Sequence, residues 1–459
     1  MLNQKGQGII SSVFFLIIIS AILILTFFAG IPVNYSVIIM IACIICIISF
    51  INTDLGLIIL IFSMLLSPEI SAGGTSTRNV LIRADDIFLS FILLGWFAKM
   101  AVNKELGLIQ KTALNLPMGL YVVICLVSSA LGMIEGYIKF KDFFFFMLKY
   151  IEYYLLFFMV LNSIRTMKQA RRYILFMLIT CFLVSVISLW QIPTGARVTA
   201  PFESEGGEPN TFAAYLILLM GVILGCILYA ENSKKRLALM GLFSITLIPF
   251  MMTMSRGGWL SFFPMVVAMI IFNKRYRLWL ILLIIVVGIF LPAMMPERVH
   301  KRVRDTFAAE KTYEVLGRRI GISESAAARL DMVGIAWNLM QRKPVVGYGV
   351  PTMGVVDNQY SRVLIETGLV GFAVFIWFLI TIFVVILRIF WQTAGNNFAQ
   401  GVSIGLLAGF CGILVHSLSA ATFILIRVME PFWFLMAIVV VLPELVIQEN
   451  VKYDSIDVT

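Results

Sequence analysis

Charge is scarce in this chain. Asp, Glu, Lys and Arg make up 13% of its 459 residues, against 61% hydrophobic. No soluble core needs that balance, which excludes a soluble enzyme or binding module. Apolar runs of roughly 20 residues, enough to cross a bilayer, recur from end to end. The short alternating segments that build a β-barrel are missing. Cysteine is sparse as well: the six thiols (Cys43, Cys46, Cys125, Cys181, Cys226 and Cys411) all fall inside apolar runs. They offer neither a disulfide framework nor metal-ligand spacing. Cys43 and Cys46 read as small packing residues of a membrane helix rather than a redox pair. Histidine is reduced to His300 and His416, and no internal repeat or low-complexity stretch is visible. The net charge of +10 does not point to nucleic acid, because the basic residues sit in short loops between apolar runs. That is the positive-inside pattern of a membrane protein.

What is present is a series of membrane segments in one polytopic domain, 1–459. They are expected near 9–28, 33–51, 54–67, 86–103, 116–132, 143–161, 173–191, 212–230, 237–254, 258–272, 278–294, 364–387, 399–419 and 431–448. Allowing for short or tilted members, the reading is an all-α integral membrane protein of about 12–14 transmembrane helices. The first run, Ile9 to Phe28, is longer than a signal-peptide core and lacks a small-residue cleavage site, so a retained helix is expected. Four loops carry Lys99, Lys104 and Lys111; Arg165, Lys168, Arg171 and Arg172; Lys234, Lys235 and Arg236; and Lys274, Arg275 and Arg277. With one crossing per segment these share a side, which the positive-inside rule makes cytoplasmic. Both termini then face the cytoplasm, and the loops 68–85, 193–211, 255–257 and 295–363 face outward.

The one long polar interruption, 295–363, is the organising feature. Val299, Val303 and Phe307 share a helical face against His300, Lys301, Arg302 and Arg304, which predicts a basic helix lying on anionic headgroups. From Arg329 to Lys343, Met332, Ile335, Ala336, Leu339 and Met340 recur at helical spacing. Ser323 or Ser325 could cap that helix, and Pro344 stops it. Gly347 and Gly349 then permit tight turns. A further helix is expected to start near Asp357 and enter the membrane, with Asn358, Arg362 and Glu366 four apart on one face. A polar face entering a bilayer is expensive and usually lines a cavity.

Two more outer sites carry signal. One is Arg197 followed by Glu208-Pro209-Asn210, where Asn210 or Thr211 could be a helix cap. The other is Ser255-Arg256-Gly257-Gly258-Trp259, an arginine squeezed into a short outer turn. Arginine binds phosphate through a two-pronged fork that lysine lacks, and the adjacent glycines let a ligand or backbone come close. His416 near the outer end of its segment reads as a hydrogen-bonded packing residue that is also a site candidate by depth. Arg427 and Glu430 are spaced to pair.

These stretches, in this order, resemble the O-antigen ligase and O-antigen polymerase superfamily of bacterial membrane glycosyltransferases. The resemblance is carried by Arg197 with Pro209-Asn210, by Ser255 to Trp259, by Arg329 to Gly349 with its Pro-x-x-Gly-x-Gly ending, and by Asp357 to Tyr360 with Glu366-Thr-Gly368-Leu-Val-Gly371. It is strongest over a core region, 195–371. It implies a bundle of the C type of glycosyltransferase with one long outer loop, in the bacterial cytoplasmic membrane. It implies an undecaprenyl-pyrophosphate-linked glycan donor, a glycan or lipid-linked acceptor, membrane lipids as surroundings, and neither a metal nor another cofactor. The expected activity is a metal-independent inverting glycosyl transfer, most simply a polysaccharide polymerase, with a chain-length regulator as a further candidate partner. In this reading Arg197 and Arg256 hold the pyrophosphate with Arg329 or Arg362, while Asn358 and His416 contact substrate. Asp357, or Glu366 behind it, accepts the proton. Ligases typically carry His-Asn where this chain has Asp357-Asn358, a departure that tells against a lipid A-core ligase; a ligase acting on lipid A-core or on a protein acceptor is the alternative. A transporter or flippase is the rival of another class. It would want broken helices and charges near the midplane, often repeated.

Overall fold

A computed structural model describes residues 41–457, apart from 42–43, 68, 75–78, 104–109, 204–206, 283–284, 286–296, 308–310, 316–317, 323 and 352–356. Helices dominate it. They are α1 (Thr53–Leu66), α2 (Ala84–Asn103), α3 (Asn115–Ile134), α4 (Phe140–Ser163), α5 (Met167–Leu189), α6 (Pro209–Leu228), α7 (Ser233–Met252) and α8 (Arg256–Phe272). After them come α9 (Glu297–Phe307), α10 (Glu324–Arg342), α11 (Gln359–Gln392), α12 (Asn397–His416) and α13 (Ile426–Asp457). Eight of the described helices are long and apolar enough to cross a membrane, or nine if α8 and the bent segment after it form one span. The expected all-α membrane bundle is therefore observed. The expected segments at 9–28, 33–51 and 278–294 lie wholly or mostly outside the described residues.

Two antiparallel hairpins were not anticipated. β1 (Glu69–Gly74) pairs with β2 (Asn79–Arg83), and β3 (Lys311–Val315) pairs with β4 (Arg318–Ile322). Each is a few residues long and sits between helices, where the periodicity of the apolar runs gives no signal.

Helix starts follow local chemistry. Asn52, Asn232, Ser255, Asn358 and Asn396 each accept a backbone N–H at the start of α1, α7, α8, α11 and α12. Thr166 and Gln169 close a reciprocal capping box on α5. The cap expected at Asn210 or Thr211 is not formed: α6 starts after Glu208, without a side-chain cap, and Asn210 lies inside its first turn. That leaves the Asn210 amide for another task.

The centre of the bundle is α6 packed against α12 and α13, while α7 is at the rim. The α6–α12 contact is made by facing glycines, Gly221 and Gly225 on one helix and Gly401, Gly405 and Gly409 on the other. Four-residue spacing puts each set on one stripe, the small-residue packing that lets membrane helices approach backbone to backbone. A Cβ at Gly405 would stand 2.6 Å from the Val222 Cα and 2.8 Å from the Gly221 carbonyl oxygen, so neither neighbour can yield cheaply. Gly412 continues the stripe toward α8, facing Ile217 and Ser261.

The helix ends sort into two groups. At one end Asp54 pairs with Arg172 and Tyr173, Arg171 with Glu449, Asn396 with Glu449, and Asn397 with Glu231. At the other end lie the starts of α2, α6, α8, α11 and α13 and the ends of α1, α7 and α12, joined by the contacts described next. These are the two sets of ends that alternate crossing predicts.

Gly405→Leu should collapse the central helix pair. The expected cost is at or above the upper end of the roughly 1–3 kcal/mol typical of overpacking, because the clash is with backbone. Gly241, which has open space around its Cα, is the control. Fluorescence-detected size exclusion and thermal melting of Gly405→Leu and Gly241→Leu should show loss of the folded peak for the first alone.

Candidate active site at one end of the bundle

The turn between α7 and α8 is built around Ser255. Its Oγ accepts the Gly258 N–H at 3.1 Å, which caps α8, and donates to Asn210 Oδ1 at 2.8 Å. Arg197 reaches the same amide: its guanidinium donates to Asn210 Oδ1 at 3.5 Å and through Nε to the Thr253 carbonyl at 2.9 Å. The Val198 N–H bonds the Met252 carbonyl at 3.1 Å, which lays this strand of loop against the end of α7. Arg197 and Ser255, the residue before Arg256, are thus tied into one hydrogen-bonded unit through Asn210. Arg256 is the first residue of α8 and half-buried. The positive end of the helix dipole adds to its charge.

Gly257 presses on the turn after α12, where a Cβ would overlap the Ser419 Oγ. In that turn Ser419 donates to the His416 carbonyl at 2.9 Å, and the Ser417 carbonyl accepts the Gln359 N–H at 2.9 Å. Tyr360 Oη donates to the Leu414 carbonyl at 2.8 Å. The start of α11 and the start of α8 therefore both seat on the 414–419 segment. His416 is fully buried, with Nδ1 2.8 Å from Thr422 Oγ1, which is the packing role expected of it.

The Pro344–Gly349 loop docks on a kink in α11. Gly368 there has φ 65° and ψ −166°, a conformation that excludes a side chain's usual backbone range. Leu369 N–H bonds the Pro344 carbonyl at 2.7 Å, Tyr348 N–H bonds Ile365 O at 3.0 Å, and Gly349 N–H bonds Glu366 O at 2.7 Å. Ser128 of α3 also donates to the Glu366 carbonyl, at 2.6 Å. Backbone groups freed by the kink are thus satisfied by the loop, as a buried membrane helix requires. Lys343 pairs with Glu135 and stands 4.3 Å above the Tyr137 ring, pinning the loop to the end of α3.

The expected polar face of α11 divides into parts. Asn358 is the cap, with Oδ1 accepting the Tyr360 and Ser361 N–H groups. Arg362 and Glu366 form a buried ion pair with N–O 3.0 Å, both about 4% exposed or less, and Arg362 also lies 5.4 Å from the Phe146 ring centre. Asp357 stands outside this pair and is exposed. Arg329 falls on α10, and its side chain is outside the described residues. The pairing expected of Arg427 and Glu430 is not observed. Arg427 donates to the Leu65 and Pro201 carbonyls at 3.2 and 3.0 Å and faces Glu203 at 3.6 Å. Sequence reasoning also passed over Ser419, which carries no ionisable group, and gave Gln359 no role beyond its place in the motif. It passed over Lys149 and Glu152 as well, where two charges inside the apolar run 143–161 were the available signal.

Residues 241–376 match the family model described as O-antigen ligase. The match supports the O-antigen ligase and polymerase superfamily. It spans Arg256, Arg329, Asp357, Asn358, Arg362 and Glu366, while Arg197 and His416 lie outside it. No curated protein matches the chain. The family indicates activity of the O-antigen ligase or polymerase type in a multi-pass membrane protein.

Asn210 is the acceptor shared by Ser255 and Arg197, so its substitution should be felt by both. A double-mutant cycle of Asn210→Ala with Ser255→Ala, read by thermal unfolding, should give a coupling of roughly 0.5–3 kcal/mol. Strict additivity would mean that the two groups do not form one unit.

Proposed function

We propose that this end of the bundle transfers glycan repeat units from an undecaprenyl-pyrophosphate donor to a growing carrier-linked glycan on the outer face of the cytoplasmic membrane. The observation that carries the reading is that Asn210 joins Arg197 to Ser255, the cap of α8 and the residue before Arg256. Two guanidinium groups and a helix N-terminus form a cradle for a diphosphate. The sidedness rests on the basic short loops, which assign the opposite end of the bundle to the cytoplasm. Both termini are then cytoplasmic, and 295–363 is the outer loop.

Pyrophosphate is an activated leaving group, so charge stabilisation and positioning carry most of the rate. An acceptor hydroxyl attacks the anomeric carbon as the bond from that carbon to the pyrophosphate oxygen breaks. The electron pair leaves on the diphosphate, held by Arg197 and Arg256, and the hydroxyl proton passes to a carboxylate. A single displacement of this kind inverts the anomeric configuration. Asp357 is the better base of the two acidic candidates. Glu366 is engaged with Arg362 inside the bundle, whereas Asp357 is exposed and has no capping duty, since Asn358 caps α11. Arg362 then acts as the internal counter-ion of Glu366 rather than as a phosphate ligand. Asn358 and His416 hold the acceptor end through the framework, and Arg329, carried by α10, remains a candidate phosphate ligand. The carboxylate in place of the ligase histidine favours a polymerase, which would work with a chain-length regulator.

Asp357→Asn keeps the shape and removes the base. The rate should fall by roughly 10²–10⁴-fold, the usual worth of a positioned proton acceptor. The assay is purified protein supplied with carrier-linked repeat units. Wild type should lengthen them unaided; full activity of the variant removes Asp357 as base, and product formed only after addition of lipid A-core makes the protein a ligase.

A further inference from the structure

At the same end of the bundle, three carboxylates from two helices converge. Asp85 and Asp86 open α2, and Glu430 lies near the start of α13. One oxygen from each lies within 4.8 Å of the others. Asp85 accepts Ser67 Oγ at 2.9 Å and pairs with Arg83. Asp86 accepts the Arg83 N–H at 3.1 Å and pairs with Lys149, which also faces Glu152 at 3.4 Å. Glu430 differs from all of these. It is 0% exposed, and both of its oxygens lack a hydrogen-bond partner.

A buried carboxylate without a donor is costly, and here it is aimed at two more carboxylates. The local charge is also unbalanced. Among the described residues, the cations that the contacts place against Asp85, Asp86, Glu152 and Glu430 are Arg83 and Lys149, which leaves two formal negative charges. Arg427, on the same helix as Glu430, is held instead by Leu65, Pro201 and Glu203. Two missing positive charges and an all-oxygen donor set describe a hard divalent cation. Calcium accepts irregular, carboxylate-rich oxygen sets at about 2.3–2.6 Å, whereas magnesium demands a near-ideal octahedron and keeps several waters, so three carboxylates fixed by two helices suit calcium better. Asp86 is 14% exposed, which provides an opening to solvent.

We propose that Asp85, Asp86 and Glu430 bind a calcium ion that ties the start of α2 to the start of α13. The ion stands in for the donor that Glu430 lacks, water completes its coordination, and it fixes the outer end of the bundle without taking part in glycosyl transfer. The site does not depend on the transfer reading.

The test uses full-length protein in detergent, stripped with EGTA, with radioactive calcium as the probe. Wild type should retain one calcium per chain, and calcium in large excess over its Kd should raise the melting temperature by several degrees. Glu430→Gln and Asp86→Asn should each lose most of the retention and most of the shift. Should Glu430→Gln fail to fold, Asp86→Asn, whose side chain is closer to solvent, decides alone. No retention by wild type, with Glu430→Gln melting at or above it, means that a proton rather than a metal satisfies Glu430, and the proposal falls. Equal retention by wild type and the variants places the calcium elsewhere and overturns it as well.

Discussion

The backbone contact between α6 and α12 is the constraint from which the rest follows. Gly221 and Gly225 lie against Gly401, Gly405 and Gly409 with no room for a side chain on either helix. In a bilayer, packing of this kind stands in for the hydrophobic drive that lipid removes. The two helices are antiparallel, so the contact sets the start of α6 beside the end of α12. It thereby brings Asn210 and the 414–419 segment to the same end, and α8 completes the arrangement through Gly257 against Ser419. At Gly221, Gly225, Gly405 and Gly409 a methyl group would meet backbone of the facing helix, and so would separate the parts of the site before any of its chemistry was touched.

The polar groups gathered at that end serve two purposes. Arg362 with Glu366, and Arg83 with Asp85, are buried pairs that settle their own charge. Such pairs contribute more to a single arrangement of the helices than to net stability. The Arg197–Asn210–Ser255 unit is different. Arg197 and Arg256, the residue after Ser255, are only half-buried, and the bonds of Arg197 fix it to Asn210 and the Thr253 carbonyl. Groups fixed in this way suit the proposed electrostatic role, because little reorganisation remains at the moment of reaction.

Much of this was legible in the sequence. The apolar runs gave the membrane helices, and Pro344, Gly347 and Gly349 gave the turn that closes α10. The arginines between apolar runs were conspicuous because each is expensive at a membrane mouth. The partners were not legible. Asn210 reads as a cap from its place before an apolar run, and only the fold reveals that Ser255, 45 positions later, takes its oxygen. Asn358, Arg362 and Glu366 do share a helical face, but periodicity cannot tell a lined cavity from an internal ion pair. Gly368 sits in the middle of a helical pattern, and its kink is visible only with the 344–349 loop in place. The small-residue stripes at Gly221–Gly225 and Gly401–Gly409 were open to a spacing count and carried the core geometry in plain view.

The central claim is that Arg197 and Arg256 form one diphosphate cradle at the start of α8. Its most direct test is native mass spectrometry of the purified protein with undecaprenyl pyrophosphate, comparing wild type with Arg197→Ala, Arg256→Ala and Arg256→Lys. Wild type should bind the carrier, both alanine variants should lose binding, and Arg256→Lys should recover little of it because a point charge lacks the fork. Undiminished binding by both alanine variants, with the fold intact, would contradict the account.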